Sequence, residues 1–419
     1  MSREFYFPND FLFGAALSDY QHYGNSNCDL LPIRTANHYE FYQQDLKIAK
    51  DLNFNALRVS IEWSRIEPRK GFIDKNAINW YKKYLKKLKS YNIKIVATLH
   101  HFTNPIWFSK EGGWLNKDCM KRFLNYIDLV SKEFKDYIDY YVIINEPIIY
   151  ASLAYLYKVI YPYETNIMKF LKCCKNMAEI IKESYSIIKE NDKNSKVGIA
   201  HAFVIAVPYN KNNILESISA KIHNWFHFNY LNGLRNYLDF IGMNYYGVFV
   251  SNVKKKETTG CKVSPEMLFE LCKYVYKKYR KRILITENGL ANSNDFLKAN
   301  YLVRHLEEIS KLLKEGVKID GYIWWSFLHG WEWNNFGDRS IGYKPNFSLV
   351  DVDMRTLKRR INEAAKVFSI ITSTKKISSD IHEKYGNRIE CYFESWPILT
   401  SFDWIEKFNI LRFIFKNNK

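Results

Sequence analysis

IKIVATLHH, Ile93 to His101, and YYVIINEP, Tyr140 to Pro147, are the two stretches on which the fold turns. Each is a short, nearly continuous apolar run that stops at polar side chains: His100 and His101 in the first, Asn145 and Glu146 in the second. A strand wetted on one face alternates apolar with polar, whereas a parallel strand covered on both faces reads as an unbroken hydrophobic run. These two stretches are of the second kind.

The same pattern recurs outward in both directions. Runs at Phe11 to Ala16, Asn55 to Ile61, Lys196 to His201, Asp239 to Tyr245, Arg282 to Thr286 and Gly321 to Ser326 bring the number to eight. Between them apolar residues fall at helical spacing, as in Phe123, Ile127, Val130, Phe134 and in Leu302, Leu306, Ile309, Leu313. Strict strand and helix alternation, with no Pro/Gly/Ser-rich linker, predicts an α/β protein that is one closed (β/α)8 barrel of the TIM type. An open doubly wound sheet is the competing arrangement, and no Gly-rich phosphate loop favours it. The predicted division is a barrel over 1–379 and a C-terminal aromatic extension over 380–419.

In such a barrel the chemistry sits at the C-terminal ends of the strands. Those ends carry Gln21, Arg58, Glu62, His100, His101, Asn145, Glu146, Asn244, Tyr246, Glu287, Asn288, Ser326 and Glu332. Structural capping accounts for one or two polar strand ends and not for a polar rim. Glu146 and Glu287, 141 residues apart in sequence (287 minus 146), can face each other across that rim. Two carboxylic acids so placed suffice to cleave an acetal, one protonating the leaving oxygen and one facing the anomeric carbon; a separation of about 5 Å implies retention of configuration. Arg58 is the candidate to keep one of them ionised, which makes Glu287 the nucleophile and Glu146 the acid/base.

Asn145-Glu146-Pro147 and Ile285-Thr286-Glu287-Asn288-Gly289 resemble the acid/base and nucleophile motifs of glycoside hydrolase family 1, the β-glucosidase family. Phe11 to Ala16 with Ser18, Tyr20 and Gln21 resembles that family's opening strand, Arg58 to Ile66 its second, Thr98 to Phe102 with Pro105 its third, and Trp325-Ser326 through Glu332-Trp333 its eighth. The resemblance runs from about Phe5 to Ile371 and is closest in flavour to compact archaeal β-glycosidases. It implies that Gln21, His101, Asn145, Glu332 and Trp333 bind the hydroxyls of the non-reducing sugar over a Trp325 floor, with Asn244 and Tyr246 supporting the nucleophile. The implied activity is exo-acting, retaining hydrolysis of unphosphorylated β-glucosides or β-galactosides. A Glu at 332, where members acting on phosphorylated sugars carry Ser, would repel a phosphate. A transglycosylase of the same mechanism and a non-catalytic sugar-binding barrel are the alternatives.

The chain departs from the family pattern at several points. Tyr23 stands in place of Glu, Cys261 in place of Trp, His329-Gly330 in place of Asp-Asn, and Asn346 and Ser348 in place of Arg and Gly. The loop from His22 to Asn37 is short, as is the stretch from Lys221 to Leu238. These positions bear on loops and support rather than on bond cleavage.

Composition narrows the partners. A net charge of +18 would suit a polyanion if focused, but Lys82-Lys83, Lys86-Lys87 and Lys254-Lys255-Lys256 are scattered among acids, so no nucleic acid is expected. Seven cysteines without a CxxC pair predict neither a zinc site nor a disulfide framework, and no metal or organic cofactor is expected. With no signal-like start in Met1 to Asp10 and no long uncharged apolar stretch, the expected compartment is the cytoplasm. In the extension, Trp404, Phe408, Leu411 and Phe415 share one helical face beside Lys407, Arg412 and Lys416. That face suits the barrel wall or a homo-oligomer partner, with peripheral membrane contact as the alternative.

Overall fold

In the computed structural model, residues 4–24, 26–210, 212–251, 261–332 and 346–388 are described. Eight parallel strands close into a barrel: β1 (Leu12–Ala16), β2 (Ala56–Ser60), β3 (Lys94–Thr98), β4 (Tyr140–Asn145), β5 (Lys196–Ala202), β6 (Phe240–Asn244), β7 (Arg282–Asn288) and β8 (Ile319–Trp324). Each pairs with its chain neighbours, and β8 returns to β1 through Gly321 to Leu12 and Trp324 to Ala15. All eight expected runs are barrel strands. The eighth starts earlier than Gly321 and stops at Trp324, which leaves Trp325 and Ser326 on the rim.

Helices α1 (His38–Asp51), α2 (Lys75–Ser90), α3 (Lys117–Phe134), α4 (Ile167–Asn191), α5 (Ile214–Asn232), α6 (Pro265–Tyr279), α7 (Asp295–Lys314) and α8 (Glu363–Thr374) surround the barrel. Seven of them begin at a short polar side chain that accepts from the first turn: Asp74, Asn116, Asn166, Asn213, Ser264, Asn294 and Asn362. Such caps satisfy amides that have no partner within the helix, which is why helix starts are readable in this sequence.

The apolar interior forms two layers. A small inner cluster, including Leu12, Ala56, Val96, Val142, Ala200, Phe240, Leu284 and Ile323, fills the barrel, and a much larger one lies between strands and helices. The barrel tolerates no side chain at some wall positions. A Cβ on Gly14 would stand 1.9 Å from the Ala56 carbonyl oxygen, and one on Gly321 would meet Leu12 at 2.4 Å.

At the N-terminal end Asp320 ties four strands together. It accepts from Tyr140 at 2.9 Å and Lys196 at 3.1 Å and pairs with Arg282.

The register slips at two strands near the opposite end, between Val142 and Asn145 in β4 and between Ile285 and Glu287 in β7. Within the first slip Ile143 and Ile144 both face the outer layer, and Asn145 then turns inward. Irregularities of this type re-aim side chains next to active sites.

A three-stranded sheet of Ile205–Pro208, Val248–Ser251 and Cys261–Lys262 stands on the rim, between β5 and α6. The sequence gives no periodic signal for such short, half-exposed strands. Of the extension, the helix Ser379–Tyr385 packs on α7, where Asn300 donates to the Tyr385 carbonyl at 2.6 Å. Trp333, Lys344 and the tail from residue 389 lie outside the described residues. Among the described residues no helix is long and apolar enough to cross a membrane.

Because the Gly14 Cβ would collide with backbone, Gly14→Val is expected to destabilise the barrel by about 3 kcal/mol or more. Urea unfolding, or loss of folded chain on expression, checks this.

Candidate active site

Arg58 comes off β2 fully buried, and its guanidinium is the hub of the rim. Nε donates to Thr98 Oγ1 at 2.9 Å, Nη2 to Asn145 Oδ1 at 2.7 Å, and Nη1 to the Thr286 carbonyl at 3.2 Å and to Glu287 Oε1 at 2.5 Å. Four strands are thereby fixed to one cation. Tyr246 donates to the other oxygen of Glu287 at 2.7 Å.

Glu146 is the first residue past β4 and the N-cap of the helix Pro147–Tyr155. Its backbone is left-handed, with φ 46°, a conformation rare for a glutamate and typical of constrained functional positions. Asn244 donates from Nδ2 to Glu146 Oε1 at 2.7 Å, while Thr286 donates to Asn244 Oδ1 at 2.7 Å and so decides which way that amide points.

Burial and the charge of Glu287 push the Glu146 carboxyl up to about 8. Burial raises Glu287 too, but Arg58, Tyr246 and Asn244 oppose it, so of the two acids Glu287 loses its proton first. Glu332 is likewise pushed up to about 8, mainly by burial and further by the two other glutamates.

The remaining expected residues meet the same pocket. Trp325 donates from Nε1 to Glu332 Oε1 at 2.9 Å; Gln21 donates to Glu332 Oε2 at 3.2 Å and to the Trp331 carbonyl at 2.7 Å. The His101 ring lies 5.6 Å from Trp325 at an interplanar angle of 28°. Asn145 Oδ1 is occupied by Arg58 and Asn244, so its Nδ2 faces His101 Nε2 at 3.2 Å as donor. Burial and the Arg58 charge keep His101 neutral, its basicity well below the ordinary range, which places the ring hydrogen on Nδ1. Apart from Trp333, every expected site residue stands in one constellation. Among the described residues no group of three or more His, Cys, Asp or Glu is arranged to hold a metal.

Three contributors escaped the sequence reading. Thr98 and Thr286 orient Arg58 and Asn244; both occupy inward positions near strand ends, which was the available signal. His22 is the third: it is buried, lies edge-on to Trp325 at 5.5 Å, and its Nε2 stands 2.6 Å from where a Cβ on Gly330 would be. Tyr23 is fully buried and serves packing, its hydroxyl 3.2 Å from Tyr84, which in turn meets His38. Asn346 and Ser348 form a small hydrogen-bonded knot with Asp351.

Known proteins show the same arrangement of chain. The family described as glycosyl hydrolase family 1 matches residues 34–234 and 243–377. The chain is 28% identical to a chloroplastic galactolipid galactosyltransferase of Arabidopsis thaliana, over 88% of this chain and 63% of that protein. It spans 55% of a β-glucosidase-like relative from Oryza sativa, so the match covers less than two thirds of the length of either relative. A 1,4-β-D-glucan glucohydrolase of Thermotoga neapolitana is 24% identical, with 87% and 97% covered. Among solved structures, a β-glycosidase from Pyrococcus horikoshii superposes with a TM-score of 0.84 at 28% identity, over 92% of this chain and 99% of that one.

The raised Glu146 carboxyl carries a stability cost with a definite sign. Its folded value of about 8 lies above the ordinary 4.5, so the fold holds a proton that the unfolded chain releases, and stability falls as pH rises from about 4.5 to about 8. Glu146→Gln, which still accepts from Asn244, is expected to raise the thermal midpoint near pH 8 and to leave it nearly unchanged near pH 4. Melting curves of both proteins across that range check this.

Proposed function

The chain is a member of glycosyl hydrolase family 1, and from that premise we propose that it is an exo-acting, retaining β-glycosidase of unphosphorylated β-glucosides or β-galactosides. The observation that carries the proposal is the pair of unequal carboxyls: Glu287 held by Arg58 and Tyr246, and Glu146 kept protonated beside it. Retention is favoured because Asn244, which donates to Glu146 Oε1 at 2.7 Å, also opposes the rise of the Glu287 carboxyl, so that one side chain stands close to both acids. Inversion needs a wider gap, with room for water between acid and sugar.

In the proposed reaction Glu287 attacks the anomeric carbon as Glu146 gives its proton to the departing oxygen, leaving a glycosyl ester on Glu287. Once that ester forms, the charge that raised Glu146 is gone and Glu146 becomes a base. It takes a proton from water, whose oxygen displaces Glu287 and releases the sugar as the β-anomer. Glu332, Gln21, His101 and Asn145 supply acceptors and donors for the hydroxyl edge of the terminal sugar, over the Trp325 indole. Glu332 stands where family members acting on phosphorylated sugars are expected to carry Ser, which favours an unphosphorylated sugar. That Cys28, Cys119, Cys173, Cys174 and Cys272 are free and buried agrees with a reducing, cytoplasmic setting.

Transglycosylation is a second reading, favoured by the galactosyltransferase among the relatives. It requires only that an alcohol replace water in the second step. Product analysis with excess alcohol acceptor separates the two.

Aryl β-glucosides and β-galactosides, with the first anomer followed by NMR, test the main reading. The expected result is β-anomer release, an activity that falls as pH rises through about 8, and loss of about a thousandfold or more in Glu287→Gln. Glu146→Gln should be impaired chiefly on poor leaving groups. Turnover that survives Glu287→Gln, or initial release of the α-anomer, overturns it.

A further inference from the structure

The segments that follow β4 and β5 on the rim hold an unusual share of exposed apolar side chains. Met168 is 70% exposed, Leu171 42%, Tyr209 63%, Ile214 73%, Leu215 54% and Trp225 63%. Tyr161 and Tyr163, in the same stretch, are also exposed and lie 6.3 Å apart.

These positions form one side of the barrel mouth. β4 and β5 are paired neighbours, and the start of α4 meets the second half of α5 through Phe170 and Phe226, ring centroids 5.6 Å apart, on the stretch of α5 that carries Trp225. Asn224 bonds both the N–H and the carbonyl of Ala206 at 2.9 and 3.0 Å, which pins α5 against the rim sheet with Trp225 turned outward. The same rim carries Glu146 at the end of β4 and Asn244 at the end of β6.

The charge around this patch is one-sided. Lys158, Lys172, Lys175 and Lys221 are exposed there. Beside the patch Glu164 pairs with Lys169 and Glu179 with Lys182, while Glu216 is buried and accepts from Asn210 and Asn213. An apolar surface with Trp and Tyr at its edge and free ammonium groups beside it matches the boundary between headgroups and acyl chains of an anionic bilayer.

We propose that this face, from the segments after β4 and β5, docks the protein on an anionic lipid surface with the site mouth beside the membrane. Docking stands apart from the enzymatic reading. Its consequence for substrate rests on that reading: glycosides with an apolar aglycone held in the bilayer would reach Glu146 without leaving it.

Co-sedimentation of the full chain with phosphatidylcholine vesicles, with and without phosphatidylglycerol, tests the proposal. Wild type should pellet with the anionic vesicles and much less with the neutral ones. Binding should fall about tenfold in Met168→Gln/Ile214→Gln/Trp225→Ser and also in Lys172→Glu/Lys221→Glu. Turnover of a soluble aryl glycoside should be unchanged in both variants. No binding by wild type, or full binding by the triple variant, overturns the proposal. So does a wild-type dimer that the triple variant abolishes, since a second copy would then cover the face. Failure of the glycosidase reading shows separately, as a wild type that binds vesicles and turns over no glycoside.

Discussion

A single guanidinium holds the catalytic rim together. Arg58 has no access to water and contacts β3, β4 and β7 from its own place on β2. A buried cation is tolerable only when its donors are matched and its charge is met. Here one carboxylate, Glu287, meets the charge, and Thr98, Asn145 and the Thr286 carbonyl complete the donors. The same pocket contains Glu146 and Glu332 but no second cation that the histidines can offer, since His101 and His22 are held neutral by burial. With one positive charge for three acids among the described residues, two protons stay bound, and that is the state in which Glu146 can give a proton. The difference in proton affinity between Glu146 and Glu287 therefore follows from the number of charges the pocket can balance.

Much of this was readable in the sequence because burial leaves a compositional trace. Strands covered on both sides read as unbroken apolar runs, and polar strand ends such as Asn145-Glu146 and Glu287-Asn288 stood out against them. What stayed hidden was orientation. Thr98 and Thr286 look like ordinary β-branched strand residues, and only the three-dimensional rim shows them steering Arg58 and Asn244. The rim sheet at Ile205–Pro208 and Val248–Ser251 escaped because its pairing joins segments far apart in sequence and too short for a period to show.

The departures from family pattern are local exchanges rather than losses. Gly330 lacks a side chain where His22 already occupies the space, so the two residues fit each other. Tyr23 extends into a buried chain of Tyr84, His38, Asp45 and Arg359 that anchors α1 to the stretch before α8. Asn346, Ser348 and Asp351 knit a turn of their own. None of these changes reaches the carboxyl pair.

The bond from Gln21 to Glu332 joins residues 311 positions apart. Contacts of that separation form late, because the loop they close is nearly the whole chain. Gln21 follows the first strand of the barrel, whereas Trp325 and Glu332 follow the last, so this side of the pocket exists only once the ring is shut. In a refolding chain, then, the appearance of this pocket is a marker of ring closure: helices and strand pairs can be complete while the pocket does not yet exist.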